Sequence, residues 1–296
     1  MVNRPDTIDW LLDSDPAIRW QVMKYLQHQP QVLYDEERNQ LTKTGWCAQL
    51  LRKQDEDGLW NHSLYNGKWL STTYSLYLLK IMGLMPGNQQ ALKGCELLLT
   101  QGLYQQQEIR FSRNKSIPDL GVTAIVLSLC CYFGLENDAI GRILSFVISQ
   151  QTKAGSWLPN SLSEAEKYTF DTTLLVLESF FQFKNRFGYS SIKGLPDSIQ
   201  RGQEFLIGQE LGVHDGKPTK SRWGSFSFPS YWFYDILTAL TYFCDEDANR
   251  DQRMQESICL LIKRRTADGR WKLGSRHSGK TYFDMETQGK PSRWNT

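Results

Sequence analysis

The chain has 296 residues, of which 40% are hydrophobic, 12% aromatic and 22% charged, so it carries enough apolar side chains for a large core. A formal net charge of +2 excludes the strong overall attraction to nucleic acid or acidic membrane that a very basic protein has. No run reaches the ~18 apolar residues of a membrane span, and the N-terminus lacks the apolar core of a signal peptide.

Helices are predicted along the whole chain, in alternating types. An N-terminal pair falls near 6–12 and 15–28, with Asp15 as a cap and Pro16 at the first helical position. Amphipathic helices follow near 35–53, 89–101, 137–150, 196–209 and 248–265. Strongly apolar helices, typical of burial on most sides, fall between them near 71–83, 122–133, 171–185 and 230–243. Strand signals are weak throughout, so the sequence predicts an all-α protein.

A loose internal repeat separates these helices. It reads Gln54 to Gly58-Leu59-Trp60, then Gln151 to Gly155-Ser156-Trp157, with a worn copy from Arg265 to Gly269-Arg270-Trp271. Repeats of this kind predict an array of similar units, and no Pro/Ser/Gly-rich linker interrupts it, so 1–296 is expected to be a single domain. About six helix pairs would close into a double ring, an α/α toroid. The last inner helix, after the segment 291–296, is expected to be missing or incomplete.

These residues resemble the terpene cyclase and prenyltransferase superfamily, whose members carry so-called QW repeats on an α/α toroid. More closely, the segments 15–20, 45–46, 68–74 and 289–294 are similar to bacterial squalene cyclase-like proteins. The resemblance implies that each Gln supports a helix end, that each Trp packs between repeats, and that a polyisoprenoid is bound or converted in a central cavity by acid-initiated chemistry. It also implies an isoprenoid as hydrophobic partner and a peripheral contact with a membrane.

The chain departs from both catalytic patterns of the superfamily. The Asp-x-Asp-Asp-Thr segment of class II cyclases is matched only by 168–173, where Phe170 stands at the place of the proton donor. No Asp, Cys and His triad matches the zinc site of prenyltransferases, and His62, His214 and His277 are expected to be solvated loop residues. Neither a metal nor another cofactor is predicted.

Three carboxylates are the candidate catalytic residues: Asp171, Glu178 and Asp235. In an apolar cavity their pKa values would rise and they could act as acids. Aromatic faces could bind a cationic or apolar substrate, which makes a second set of candidates: Phe170, Tyr231, Trp232 and Tyr234. The alternative is structural, because Asp171 and Asp235 could cap helix N-termini and Glu178 could form an ion pair.

Three functions therefore stay open at this point. The first is a terpene cyclase-like enzyme, and the second a non-catalytic isoprenoid-binding or structural toroid. The third is a carbohydrate-active enzyme, which would need two carboxylates and exposed Trp residues in an open cleft. The basic residues at 263–276 lack interleaved aromatics, so nucleic-acid binding is not expected. Six cysteines without a paired spacing predict reduced thiols in a cytoplasmic protein.

Overall fold

A computed structural model describes residues 4–112, 117–159, 165–188, 192–246 and 251–296. The protein is mostly helical, as the all-α prediction requires. The helices are α1 (Arg4–Leu12), α2 (Pro16–Gln21), α3 (Gln31–Arg38), α4 (Gly45–Leu51), α5 (Thr72–Met82), α6 (Gln89–Gly102), α7 (Leu120–Phe133), α8 (Ala139–Ser149), α9 (Ala165–Phe187), α10 (Leu195–Gly208), α11 (Ile236–Asp245) and α12 (Gln255–Lys263). A π-helical turn, Val22–Leu26, extends α2.

The strands are short antiparallel pairs of two residues each. β1 (Leu103–Tyr104) pairs with β2 (Glu108–Ile109), β3 (Val213–His214) with β4 (Lys217–Pro218), and β5 (Trp271–Lys272) with β6 (Pro291–Ser292). The first two pairs close loops between helices, and the third lies in the segment that follows α12.

Two predicted helices differ from the observed ones for reasons of backbone conformation. The helix expected near 35–53 is divided into α3 and α4, because the backbone of Thr44 is extended (φ −143°, ψ 171°) and Gly45, at the start of α4, has a φ of +77°. The helix expected near 230–243 begins only at Ile236, because Tyr231 has a φ of +53° and the N-cap Asp235 is extended, with φ −142° and ψ 165°. Residues 248–250 of the predicted helix 248–265 lie outside the described residues.

The helices form two types that differ in burial. Nearly every residue of α5 and α7 is buried, and most of the central part of α9 is buried as well. We call α5, α7, α9 and α11 the inner helices, and α4, α6, α8, α10 and α12, which bury one face, the outer helices. α7 packs against α9 and α5, and also against the outer helices α6 and α8. The closure of these layers into a toroid stays a prediction. In the described ranges, no helix has both the length and the apolarity to cross a bilayer.

The repeat residues connect an outer helix to the inner helix that follows it. Trp60 is fully buried, donates from Nε1 to the Leu50 carbonyl at 2.8 Å, and donates from its backbone N–H to Thr72 Oγ1 at 2.9 Å. Gln54 Nε2 donates to the carbonyls of Gly58 and Gln90. The second copy repeats these bonds: Trp157 to Val147 and Thr173, and Gln151 to Gly155 and Ser198. The repeat therefore ties consecutive helices together through buried hydrogen bonds.

Candidate functional site

An open cleft of about 160 Å³ lies beside the N-terminal parts of α7 and α9. Its floor is apolar, with Val122, Ile125 and Leu175 from the two inner helices. Its remaining walls come from three aromatic residues, a proline, two carboxylates, a glycine and a threonine: Tyr65, Tyr168, Trp232, Pro159, Asp119, Asp171, Gly121 and Thr172. The volume is close to that of an engineered cavity of ~150 Å³ that binds benzene. The cleft can thus enclose one ring or one five-carbon unit.

Asp171 lines this cleft, but its carboxylate is already bonded within the protein. Arg222 Nη1 donates to Oδ1 at 3.0 Å and Nη2 to Oδ2 at 2.8 Å, and the Tyr234 backbone N–H donates to Oδ1 at 2.8 Å. Burial raises the pKa of Asp171, and the hydrogen bond and charge of Arg222 oppose that rise. Asp171 does not cap a helix, since α9 already extends from Ala165. It instead ties α9 to the segment before α11.

Asp119, the second carboxylate of the cleft, is the N-cap of α7. Its side chain accepts a hydrogen bond from the Val122 N–H at 3.3 Å. Asp119 and Asp171 therefore both hold helices in place, and the polar wall of the cleft is largely engaged in internal hydrogen bonds.

The deeper space between the candidate residues is almost filled. A void of about 10 Å³ is lined by Asp171 and Glu178 together with Tyr231, Trp232 and Tyr234. A water molecule needs roughly 10–15 Å³ of such space, so this void holds one water at most. Five of the candidate residues thus line one small void, and the space between them does not admit a substrate.

Glu178 lies on α9, and both it and its neighbour Lys80 are partly exposed. Burial raises the pKa of Glu178, and the positive charge of Lys80 opposes the rise. Burial lowers the pKa of Lys80, whose ammonium donates to Ser128 Oγ at 2.8 Å. Within the described residues, no basic side chain forms an ion pair with Glu178 at 4.0 Å or less, so the ion-pair interpretation is not supported by a direct contact.

Asp235 caps α11, as the structural alternative predicts. Its Oδ1 accepts from the Thr238 N–H and hydroxyl at 2.8 Å and 2.9 Å. Burial raises its pKa to about 6, against the opposing effect of the bonds from Thr238. Asp235 lines neither the cleft nor the small void.

The four aromatic candidates point to different surroundings. Trp232 lines the cleft, whereas Phe170 packs against Trp223 and Tyr234, at ring-centroid distances of 4.6 Å and 5.2 Å. Tyr234 is 1% exposed and donates from its hydroxyl to the Leu211 carbonyl at 2.9 Å. Phe170 and Tyr234 therefore belong to a packed aromatic cluster.

A stack around Tyr231 fills the region between α5 and the segment before α11. The Tyr231 ring is parallel to Trp69 at 4.0 Å, and Phe233 is stacked on His277 at 4.3 Å. Burial lowers the pKa of His277 to about 4, so it is neutral at physiological pH. The expectation that His277 is a solvated loop residue is wrong, because its loop folds back between these aromatic rings.

One cluster of possible metal ligands occurs among the described residues. Donor atoms of Asp55, Asp57 and His62 lie within 4.8 Å of one another at the surface. The His62 ring is 2.9 Å from Asp57 Oδ2, and the Asp55 carboxylate accepts the His62 backbone N–H. The hydrogen bond to Asp57 raises the pKa of His62. These groups therefore form hydrogen bonds with one another in the turn of the first repeat.

No protein-family model and no curated protein matches the sequence. Solved structures similar to it include the following two. One is a protein from Actinoplanes, with 15% identity over 90% of this chain and 81% of that protein, and a TM-score of 0.49. The other is a variant of the type II terpene cyclase MstE from Scytonema, in complex with its substrate geranylgeranyl dihydroxybenzoate. It has 16% identity over 85% of this chain and 69% of that protein, with a TM-score of 0.47. At this identity and overlap the likeness is confined to the helical architecture, and neither ligand nor activity is transferred.

Sequence reasoning found Asp171 and Trp232 in the cleft and missed Tyr65, Asp119 and Tyr168. A signal for Asp119 was available, since an Asp directly before a long apolar run is a typical N-cap. Tyr65 lies in a loop without periodicity, and only the folded chain shows that it faces α9.

Proposed function

We propose that this protein is an α/α toroid that binds the end of an isoprenoid, or a ligand of similar size and polarity, without cyclising it. The observation that carries the proposal is the size and lining of the cleft beside α7 and α9. It provides an apolar floor and three aromatic walls, as most small-molecule sites do, and encloses about one five-carbon unit.

Binding without conversion is favoured over cyclisation of a polyisoprenoid for two reasons. A cyclase must enclose the whole folded chain and exclude water, and a space of about 160 Å³ holds only a small part of one. A proton donor must also direct an O–H at the substrate. Both oxygens of Asp171 instead accept N–H bonds from Arg222 and Tyr234, which is the role of a carboxylate.

A carbohydrate is the second candidate ligand, because the cleft combines two carboxylates with Trp232. A sugar needs many polar partners, however, and Asp119 and Asp171 are already engaged as a helix cap and as part of an ion pair. The cleft therefore offers a sugar mainly aromatic stacking, which favours the apolar ligand.

Ligand-observed NMR with prenol, a water-soluble five-carbon isoprenoid alcohol, tests the proposal. Small ligands gain at most ~1.5 kcal/mol of binding free energy per non-hydrogen atom, and often only ~0.3 kcal/mol. The assay must therefore detect dissociation constants in the millimolar range. Methyl glucoside serves as the carbohydrate probe. Incubation with farnesol, followed by mass spectrometry, detects conversion.

Gly121 provides the blocking variant, because it lies in the cleft with space beside it. A Cβ there would meet nothing closer than Leu175 Cδ1 at 3.8 Å, so Gly121→Leu extends into the cleft without a backbone clash. Gly141→Leu on α8 is the matched control, since the nearest atom to its Cβ is Ile192 Cδ1, also at 3.8 Å. We expect prenol binding to weaken at least ~10-fold in Gly121→Leu and to persist in Gly141→Leu.

Equal prenol affinity in the two variants would show that the cleft is not the site. Saturable binding of methyl glucoside, blocked by Gly121→Leu, with no binding of prenol would establish the carbohydrate alternative. A new product from farnesol that disappears in Asp171→Asn would replace binding by acid-initiated conversion.

A further inference from the structure

A second cavity, of about 40 Å³, lies between α5 and the segment that follows α12. Ser75 and Leu78 of α5 line it, together with residues between 276 and 286 and with the loop residues Phe228 and Tyr231. A water molecule needs roughly 10–15 Å³ of such space, so the cavity has room for about three non-hydrogen atoms. It is separate from the cleft beside α7 and α9, because the two spaces share no lining residue.

Two residues of this cavity each carry a buried oxygen atom without a hydrogen-bond partner among the described residues: Ser75 Oγ and Glu286 Oε2. Ser75 is 1% exposed, so its hydroxyl is shielded from bulk water. The other carboxylate oxygen, Glu286 Oε1, accepts the backbone N–H of Arg293 at 2.6 Å. A buried polar atom without a partner is costly, so a ligand that donates to both oxygens would be stabilised in the cavity.

The Glu286 carboxylate also lacks a direct counter-charge. Burial raises its pKa, against the opposing effects of neutral donors from Ser292 and the backbone and of the charge of Arg293. The Arg293 guanidinium donates to the carbonyls of Trp10 and Asp13 instead, and within the described residues no basic side chain forms an ion pair with Glu286. A buried carboxylate is costly unless it is paired, so this group favours a cationic ligand.

The basic side chains beside the cavity have their charged groups at the surface or are neutral. Arg276 lines the cavity, but its guanidinium is paired with Asp284, and the two side chains are 41% and 69% exposed. Lys68 lies over the ring of a cavity tryptophan and is exposed to solvent, which screens its charge. Burial lowers the pKa of His277 to about 4, so it is uncharged at neutral pH. The charge that remains inside the cavity is therefore that of Glu286.

Aromatic side chains form a large part of the walls: Trp69, Phe228, Tyr231, Tyr282 and Phe283. Stacking holds two of them in place, since Tyr231 is parallel to Trp69 at 4.0 Å and Phe228 is parallel to Trp294 at 4.2 Å. Aromatic faces attract a cation, and more strongly where water is excluded. A hard metal ion such as Mg²⁺ or Ca²⁺ takes about six or more oxygen ligands, which these mainly carbon walls do not supply. A carboxylate among aromatic rings instead suits an organic ammonium ion.

We propose that this cavity binds the ammonium group of a small organic amine that carries one or two methyl groups on its nitrogen. The ammonium N–H groups donate to Glu286 Oε2 and Ser75 Oγ, and the methyl groups lie against the aromatic walls. Dimethylammonium, with its nitrogen and two carbons, matches the volume of the cavity. This site is independent of the proposed ligand of the cleft beside α7 and α9, and neither proposal depends on the other.

Ligand-observed NMR with dimethylammonium chloride and the full chain tests the proposal. A ligand this small reaches a dissociation constant on the order of 1 mM at best, so the titration must extend to tens of millimolar. Ethanol, an uncharged molecule with the same number of non-hydrogen atoms, measures the contribution of the charge. Potassium chloride at equal ionic strength measures competition by an inorganic cation. We expect dimethylammonium to bind at least ~10-fold more tightly than ethanol and to persist in potassium chloride.

Two variants identify the residues that hold the ammonium group. Glu286→Gln removes the charge but keeps an oxygen that can accept the backbone N–H of Arg293, and it should weaken dimethylammonium binding at least ~10-fold. Glu56→Gln is the matched control, because Glu56 is exposed and the change removes the same charge from the surface. Ser75→Ala should weaken binding several-fold without lowering the Tm, since the Ser75 hydroxyl has no partner among the described residues. Gly121→Leu should leave dimethylammonium binding unchanged.

Several results would overturn the proposal. Absence of saturable dimethylammonium binding would mean that the cavity holds only water. Equal affinity for ethanol would make it a merely apolar space, and loss of binding in potassium chloride at equal ionic strength would make it a site for an inorganic cation. Equal affinity in Glu286→Gln and Glu56→Gln would place the bound amine elsewhere, and loss of binding in Gly121→Leu would place it in the cleft beside α7 and α9.

Discussion

The rings of Trp60 and Trp157 pack closely against a glycine on the neighbouring outer helix, where a larger side chain would overlap them. A Cβ at Gly202 on α10 would lie 2.8 Å from Trp157 Cζ3 and 2.9 Å from Leu177 Cδ2. Carbon atoms in contact are normally ~3.5–4.0 Å apart, so the methyl group of Gly202→Ala overlaps two side chains at once. Neither can move freely, because both are fully buried and Trp157 Nε1 is bonded to the Val147 carbonyl.

Two effects of Gly202→Ala oppose each other. Alanine in a helix interior is favoured over glycine by ~0.8–1.0 kcal/mol. Overpacking a well-filled core costs typically ~1–3 kcal/mol. We expect the steric effect to prevail, so that Gly202→Ala lowers the free energy of unfolding by about 1–2 kcal/mol.

Two further glycines provide graded controls. Gly94 faces Trp60 and Leu76, and its Cβ would lie 3.1 Å from each, so Gly94→Ala should be close to neutral. Gly121→Ala meets nothing closer than 3.8 Å, and it should stabilise the protein by up to about 1 kcal/mol. Urea denaturation of the three variants measures the order. If Gly202→Ala is as stable as Gly121→Ala, the tryptophan ring is not held as rigidly as its hydrogen bonds imply.

Two more predictions concern the cap of α11 and the repeat itself. The pKa of Asp235 rises from an ordinary 3.8 to about 6 in the folded state, so the folded protein binds the carboxyl proton more tightly than the unfolded chain does. The free energy of unfolding should therefore fall by up to roughly 3 kcal/mol as the pH rises from 4 to 6. Asp235→Asn should remove that part of the slope, and an unchanged difference between the two proteins across this range would contradict the assignment. Thr173→Val leaves the buried N–H of Trp157 without its acceptor and should cost about 1–3 kcal/mol by urea denaturation, whereas a neutral result would mean that water replaces the hydroxyl.

The helices were predictable from the sequence where the local pattern of apolar residues determines them. Apolar periodicity located α5, α7 and α9 within a few residues, and two of the three repeat tryptophans, Trp60 and Trp157, are fully buried. Periodicity could not detect the break at Thr44 and Gly45 between α3 and α4, because backbone dihedral angles leave no mark in the pattern of apolar residues. The same limit applies to the segment before α11, where the backbone of Tyr231 leaves the helical region.

The candidate site was less predictable, because its geometry depends on contacts between distant segments. Asp171 could be singled out from its neighbours on α9, but its partner Arg222 lies 51 positions further along the chain. The burial of His277 likewise depends on Phe233 and Trp69, which no local pattern connects to it. Charge and residue type indicated that carboxylates are present, and only the fold shows that they are engaged in internal bonds.

One turn of α9 carries both the scaffold and the cleft. Thr173 accepts the N–H of Trp157, Asp171 holds Arg222, and Thr172 between them lines the cleft. A substitution at Asp171 or Thr173 changes both the stability of the protein and access of a ligand to the cleft. A loss of binding in such a variant would therefore not identify the site. Gly121 on the opposite wall has no such structural bond through a side chain, and its Cβ direction is open. A change in ligand affinity at Gly121 with unchanged stability is therefore the observation that separates a binding protein from a structural ring.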